Sequence, residues 1–175
     1  MPKIIEGARE KILANAKKRL FEKGYQHLSL REVAKESGIA TGTIYNYFAN
    51  KDYLIASIML EDWEKTVQKM EERCKEAHSV KEGVQGICQS MEEFYEIYAV
   101  VWKQPSVAAA ATPDMKHRHE FLISQLIGQI DSLLENQGYG NRKEFNRLIA
   151  ELVLTSIGKQ EVWEQLELLL VQLYP

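Results

Sequence analysis

Residues 41–51 read Thr41-Gly42-Thr43-Ile44-Tyr45-Asn46-Tyr47-Phe48-Ala49-Asn50-Lys51. Ile44 and Phe48 stand four apart, so one helical face carries both and should be buried. Thr41, Thr43, Tyr45, Asn46 and Tyr47 fall mostly on the other faces. Small side chains at the start of this helix allow its backbone to come close to another surface. The polar ones suit base edges or thymine methyls. Just upstream, Leu30 to Ser37 reads as a second short helix, opened by the capping box Ser29-Leu30-Arg31-Glu32. Leu30, Val33 and Ala34 face inward, and Ala34 is small where the two helices must cross. Gly38 takes the turn, where a left-handed conformation is cheap for glycine, and Ile39 plugs the core. The pair is a helix-turn-helix whose second helix has the size to enter a DNA major groove.

Working outward, the apolar positions Ile5, Ala8, Ile12, Leu13, Ala16, Leu20 and Phe21 predict one amphipathic helix from Ile4 to Lys23. Gly24 should end it as a left-handed cap, with Tyr25 packed beneath the motif. On the far side, Asn50 should cap the next helix. Lys51 then sits in its first turn, against the helix dipole, at a cost of a few tenths of a kcal/mol that a phosphate partner would offset.

These pieces carry a resemblance. From Ile4 to Leu54 the chain resembles the DNA-binding domain of the TetR family of bacterial regulators. The matching runs are Phe21-Glu22-Lys23-Gly24-Tyr25, Ser29 to Ala34, Ser37-Gly38-Ile39, Gly42 to Phe48, and Asn50-Lys51-Asp52-Tyr53-Leu54. The resemblance implies that Arg31, Thr41, Gly42 and Asn46 face base edges. It implies that Thr43, Tyr45, Tyr47 and Lys51 hold phosphates, with Tyr45 able to do both. Partial burial of Tyr45 and Tyr47, or pairing of Arg31 with Glu32, is the competing reading of those residues. The resemblance also implies a homodimer on double-stranded DNA with a small-molecule effector. It covers about a third of the chain and does not choose a ligand.

The whole 175-residue chain has a net charge of −3 that hides an asymmetry. Residues 1–51 carry ten basic and five acidic side chains, or +5, and the remainder carries −8. A basic head on an acidic body suits a head that meets phosphate. No N-terminal apolar run resembles a signal peptide, and none approaches the roughly 18 residues of a spanning helix. A soluble, cytoplasmic chain with no membrane partner is expected. Cys74 and Cys88 form no metal-ligand spacing and read as reduced packing residues. No metal or cofactor is expected.

Beyond Lys51 the pattern is helical throughout. One long helix should run to about Ala77. A second capping box, Ser79-Val80-Lys81-Glu82, opens a helix that should continue to Pro105, and Ser106 to Ala111 suits a short helix. Thr112-Pro113 starts the next, to about Gln137, and Gly138-Tyr139-Gly140 breaks the chain. Asn141 caps a helix to Ile157, and the last helix follows Gly158. The last two helices are too apolar all round for one-sided surface helices. This favours a two-fold dimer through Leu152, Leu166, Leu169 and Leu173. Such a dimer would also set two recognition helices about 34–36 Å apart.

Met91, Phe94, Tyr95, Tyr98 and Trp102 form a stripe that fits either ordinary core or a lined ligand cavity, since buried tyrosine and tryptophan need polar partners. Glu92, Glu93 and Glu96 should be solvated. His117 and His119, two apart on a helix, point about 200° from each other and cannot chelate one ion together. No catalytic motif appears. The reading is therefore an all-α regulator. Residues 1–52 form a three-helix DNA-binding domain, and residues 53–175 a helical ligand-binding and dimerisation domain. The expected function is repression at a palindromic operator, relieved by a small apolar or amphipathic ligand. The alternative is a ligand-independent DNA-binding protein that organises the chromosome or recruits a partner.

Overall fold

The computed structural model of the protein describes residues 7–102, 115–140 and 143–175. Among the described residues the regular structure is helical, without strands. The helices are α1 (Ala8–Lys23), a short 3-10 turn (Tyr25–His27), α2 (Leu30–Ser37), α3 (Thr41–Tyr47), α4 (Lys51–Glu76), α5 (Val80–Ile97), α6 (Ala99–Trp102), α7 (Met115–Asn136), α8 (Lys143–Ser156) and α9 (Gln160–Leu173). The described residues pack as two compact units, residues 7–63 with 100–102, and residues 64–99 with 115–140 and 143–175.

In the first unit, Ile12, Leu13, Ala16 and Leu20 of α1 are buried, as are Val33 and Ala34 of α2, Ile44 and Phe48. Phe21, expected in this core, is instead 41% exposed. One residue along a helix turns the side chain by about 100°, and Leu20 already holds the inward position. Gly24 has φ 80° and ψ 168°, so its φ is positive but its ψ is extended rather than left-handed. Gly38 does adopt the left-handed conformation, with φ 68° and ψ 31°.

The division between the units lies inside α4, between Trp63 and Glu64. The physical reason is that the first turns of α4 are packing partners of the head. Leu54, Ile55 and Ile58 are buried. Arg9 bonds Glu61 at 3.1 Å, and Lys17 bonds Asp62 at 2.7 Å.

The second unit is held by close helix contacts. Gly83 of α5 leaves no room for a Cβ beside the Leu133 side chain of α7. Gly86 of α5 lies under Arg73 of α4, whose Cβ would stand 2.9 Å from an added methyl. Arg73 crosses to α5, donating to Ser90 Oγ and Glu93 Oε1, each at 2.7 Å. Hydrogen bonds from Arg73, then Lys69, hold the Glu93 carboxyl below the usual glutamate range. Glu93 is thus paired rather than freely solvated, while Glu92 and Glu96 are exposed. Cys74 and Cys88 are buried free thiols. Burial pushes their pKa up, to about 11 and about 12, so both remain protonated packing groups.

The capping boxes differ in detail. At α5 the Glu82 amide donates to Ser79 Oγ at 3.2 Å, and the Glu82 carboxylate takes the His78 amide at 2.8 Å. The helix expected to reach Pro105 stops at Ile97. Tyr98 leaves helical geometry and α6 follows as a separate turn. The expected helix over Ser106–Ala111, the Thr112-Pro113 start and the Asn141 cap lie outside the described residues.

Candidate nucleic-acid interface

The two helices of the motif are fixed from within. At α2, the Glu32 amide donates to Ser29 Oγ at 3.3 Å, and the Ser29 hydroxyl donates to the Glu32 carboxylate at 3.0 Å. The turn is closed by the Gly38 and Ile39 amides on the Lys35 and Ala34 carbonyls. At the far end of α3, Asn50 Oδ1 accepts from the Tyr53 amide at 2.7 Å and caps α4. Between these fixed points α3 buries Ile44, and its C-terminal cap Phe48 is buried too, while Thr41, Gly42, Tyr45 and Asn46 turn to solvent and Thr43 and Tyr47 are partly covered.

Gly42 is informative. A Cβ built there meets no atom within 4 Å, and its φ is not in the left-handed range. Among the described residues, neither packing nor backbone conformation requires glycine at that position. Glycine in a helix is about 0.5–1 kcal/mol less favourable than alanine. The missing side chain therefore serves nothing among the described residues of the unit.

Arg31 is exposed and, among the described residues, makes no hydrogen bond or ion pair. Glu32, the neighbour that competed for it, pairs with Arg19 instead. Lys51, which the resemblance places at a phosphate, also has partners within the unit. Its Nζ donates to the Tyr25 carbonyl at 2.8 Å and lies 3.7 Å from the centre of the Tyr25 ring. The Tyr25 hydroxyl in turn donates to Asp52 at 2.8 Å. Desolvation lowers the Lys51 pKa. The offset to its poor position at a helix start comes from Tyr25 in the same unit, with no DNA present. Lys51→Met should accordingly cost stability, roughly 1–2 kcal/mol for the charged hydrogen bond and the ring contact. A thermal melt within about a degree of wild type would show that this latch contributes nothing.

The other expected residues separate. Met91 and Tyr98 are buried, Phe94 is partly buried with its ring 5.0 Å from that of Tyr98, and Tyr95 is half exposed. Tyr95 sits beside Phe94 on α5 but a full 100° around the helix. The stripe therefore does not form one enclosed wall. The Trp102 side chain lies outside the described residues. His119 approaches Glu151 at 3.2 Å, and the His117 side chain also lies outside.

Among the four leucines expected at a dimer face, Leu166 is fully buried within its own chain and belongs to the single-chain core. Leu152, Leu169 and Leu173 are partly covered. The strongly exposed apolar side chains on these helices are Phe145 and Leu148 of α8 and Leu168 and Val171 of α9. Leu168 and Val171 lie three apart, so they share a face that Leu166 does not.

Sequence reasoning passed over Arg19. It reads as one of several surface cations in Lys17-Lys18-Arg19, yet it is 7% exposed. The available signal was its position, three after Ala16 and seven after Ile12, on the apolar stripe of α1.

An exposed, internally braced helix-turn-helix is the arrangement that DNA-binding proteins of the helix-turn-helix class use. Residues 12–58 match the family model described as bacterial regulatory proteins, tetR family. Over 128 residues, 69% of this chain, the sequence is 29% identical to the HTH-type transcriptional regulator UidR of Escherichia coli strain K12. The chain spans 63% of the length of that relative. Among solved structures, Salmonella enterica GusR superposes with a TM-score of 0.62 at 20% identity, covering 98% of each chain. FadR from Bacillus subtilis in complex with stearoyl-CoA gives 0.52 at 24% identity, covering 93% of this chain and 97% of that one. These two likenesses show a shared fold. The likeness to the bacterial regulatory proteins of the tetR family is thus carried by residues 12–58. Among the described residues, no helix is long and apolar enough to cross a membrane.

Proposed function

We propose that the protein is a homodimeric repressor that binds a palindromic operator through α3 and leaves it when a small apolar or amphipathic ligand binds the body. The observation that carries the DNA reading is α3 itself. Ile44 and the capping Phe48 are buried, while Thr41, Gly42, Tyr45 and Asn46 are turned outward. An outward face with a glycine that nothing among the described residues requires suits a helix whose backbone must approach a groove closely. In this reading Arg31, Thr41, Gly42 and Asn46 meet base edges. Thr43, Tyr45 and Tyr47 meet phosphates, and Lys51 adds its charge from the Tyr25 latch. The structure of a relative with stearoyl-CoA supports an acyl-type ligand for the body. A buried Tyr98 beside Phe94 is consistent with an aromatic lining there, with Met91 next to it on the same helix.

The exposed apolar faces of α8 and α9 supply the dimer contact. In a repressor released by ligand, α4 is the natural transmitter, because it is one unbroken helix from Lys51 to Glu76. The ligand must bind the DNA-incompetent state more tightly, and operator DNA must then weaken the ligand by the same factor.

The direct test is selection of bound duplexes from a random pool, followed by anisotropy titration of the winner. Recovery of an inverted repeat is expected, and recovery of no preferred sequence would remove sequence-specific regulation. Gly42→Ala sharpens this test because its two expected effects have opposite signs. The melting midpoint should rise, by about 0.5–1 kcal/mol of stability, while affinity for the selected duplex falls at least about tenfold, or 1.4 kcal/mol. Unchanged affinity would mean that no DNA atom comes close to Gly42.

A further inference from the structure

Helix α2 carries its charges in two rows. Arg31 and Lys35, four apart, form one, and Glu32 and Glu36, four apart, form the other. The cationic row is exposed, and among the described residues neither of its side chains has a hydrogen-bond or ion-pair partner. The acidic row is engaged from α1 by Arg19. Its guanidinium donates from Nη1 to Glu36 Oε1 at 2.6 Å and from Nε to the His27 carbonyl at 2.9 Å, and its Nη2 pairs with Glu32. All three nitrogens of the fork are engaged, and the side chain is only 8% exposed. The carboxylates are 51% and 42% exposed, so both would act at the surface if released. A free Glu32 would lie within reach of Lys35, three residues on.

We propose that Arg19, which does not itself reach DNA, is a positioning residue for DNA binding: by holding both carboxylates of α2 it leaves Arg31 and Lys35 as an uncompensated cationic row facing the nucleic acid. Without it, α2 has no net charge, with two cations and two anions. With it, the acids are neutralised from behind and the cations keep their field. A lysine at position 19 would not substitute, because a single ammonium lacks the planar fork that reaches two carboxylates and a carbonyl together. Lys35 thereby joins the DNA-facing set as a phosphate ligand.

This assignment rests on the DNA-binding reading. The experiment measures affinity for the pool-selected duplex and for a random duplex of equal length, at about 100 mM salt and across a salt series. R19M should bind both duplexes about tenfold more weakly than wild type, with a shallower salt slope. The triple variant R19M/E32Q/E36Q should return to within about threefold of wild type, since the freed charges are gone. A folded R19M that binds like wild type overturns the proposal. So does a triple variant that stays as weak as R19M, which would make Arg19 a brace of the fold and nothing more. Should R19M lose its helical signal, E32Q/E36Q with Arg19 intact decides the matter. Binding unweakened on both duplexes supports charge masking, and a tenfold loss overturns it. Wild type that captures no duplex sinks the DNA-binding reading and this assignment together. Wild type that binds while R19M is unchanged sinks this assignment alone.

Discussion

Phe48→Ala is expected to unfold the head. The ring is 1% exposed, with the Arg9 guanidinium 5.9 Å from its centre and the Tyr53 ring at 6.2 Å. Truncating a buried phenylalanine costs about 3–5 kcal/mol, lost transfer energy and cavity together. That is a large share of the roughly 5–15 kcal/mol that holds a domain. DNA binding and part of the helical circular dichroism should disappear together. Tyr45, on α3 three residues before this capping residue, provides the contrast. It is 49% exposed, so Tyr45→Ala should change stability by no more than about 0.5 kcal/mol and still weaken duplex binding. A Phe48→Ala protein that melts like wild type would mean that α3 is not seated on this core. A Tyr45→Ala protein with unaltered binding would take Tyr45 out of the contact face.

In the proposed dimer, Leu168→Glu should abolish association of the two chains while leaving each chain folded. Leu168 is 66% exposed in the single chain, and Val171 on the same face is 52% exposed. A carboxylate there meets water in the monomer and so costs it little. In a buried interface the same group is unpaired and costs several kcal/mol, which a standard-sized interface does not absorb. Sedimentation should give a single-chain mass, with helical signal retained and duplex affinity sharply reduced, because one half-site alone binds weakly. Leu166→Glu is the control. That side chain is fully buried within its own chain, so the substitution should destabilise the chain itself. An intact Leu168→Glu dimer would move the interface to another face.

The motif was legible in the sequence because its determinants are local. Ser29, Gly38 and Asn50 each act on backbone atoms within a few residues, and those contacts form whatever the rest of the chain does. Ile44 is buried on α3 as helix periodicity predicts, whereas Phe48 is buried as the extended residue that ends the helix. Apolar periodicity also found the long helices. Charge partners were not legible, because they join residues far apart in the chain. Lys51 finds Tyr25, and Arg19 finds Glu32 and Glu36, only once α1, α2 and α4 are packed. A lysine at a helix start reads as available for phosphate until the tertiary structure supplies a carbonyl and a ring. Leu166 and Leu168 are indistinguishable in an apolar run, and packing alone decides that one is core and the other surface. Tyr95 and Tyr98 divide for the same reason. Sequence fixes which backbone conformations and faces are cheap, whereas burial and charge pairing depend on which distant groups the folded chain brings to each face.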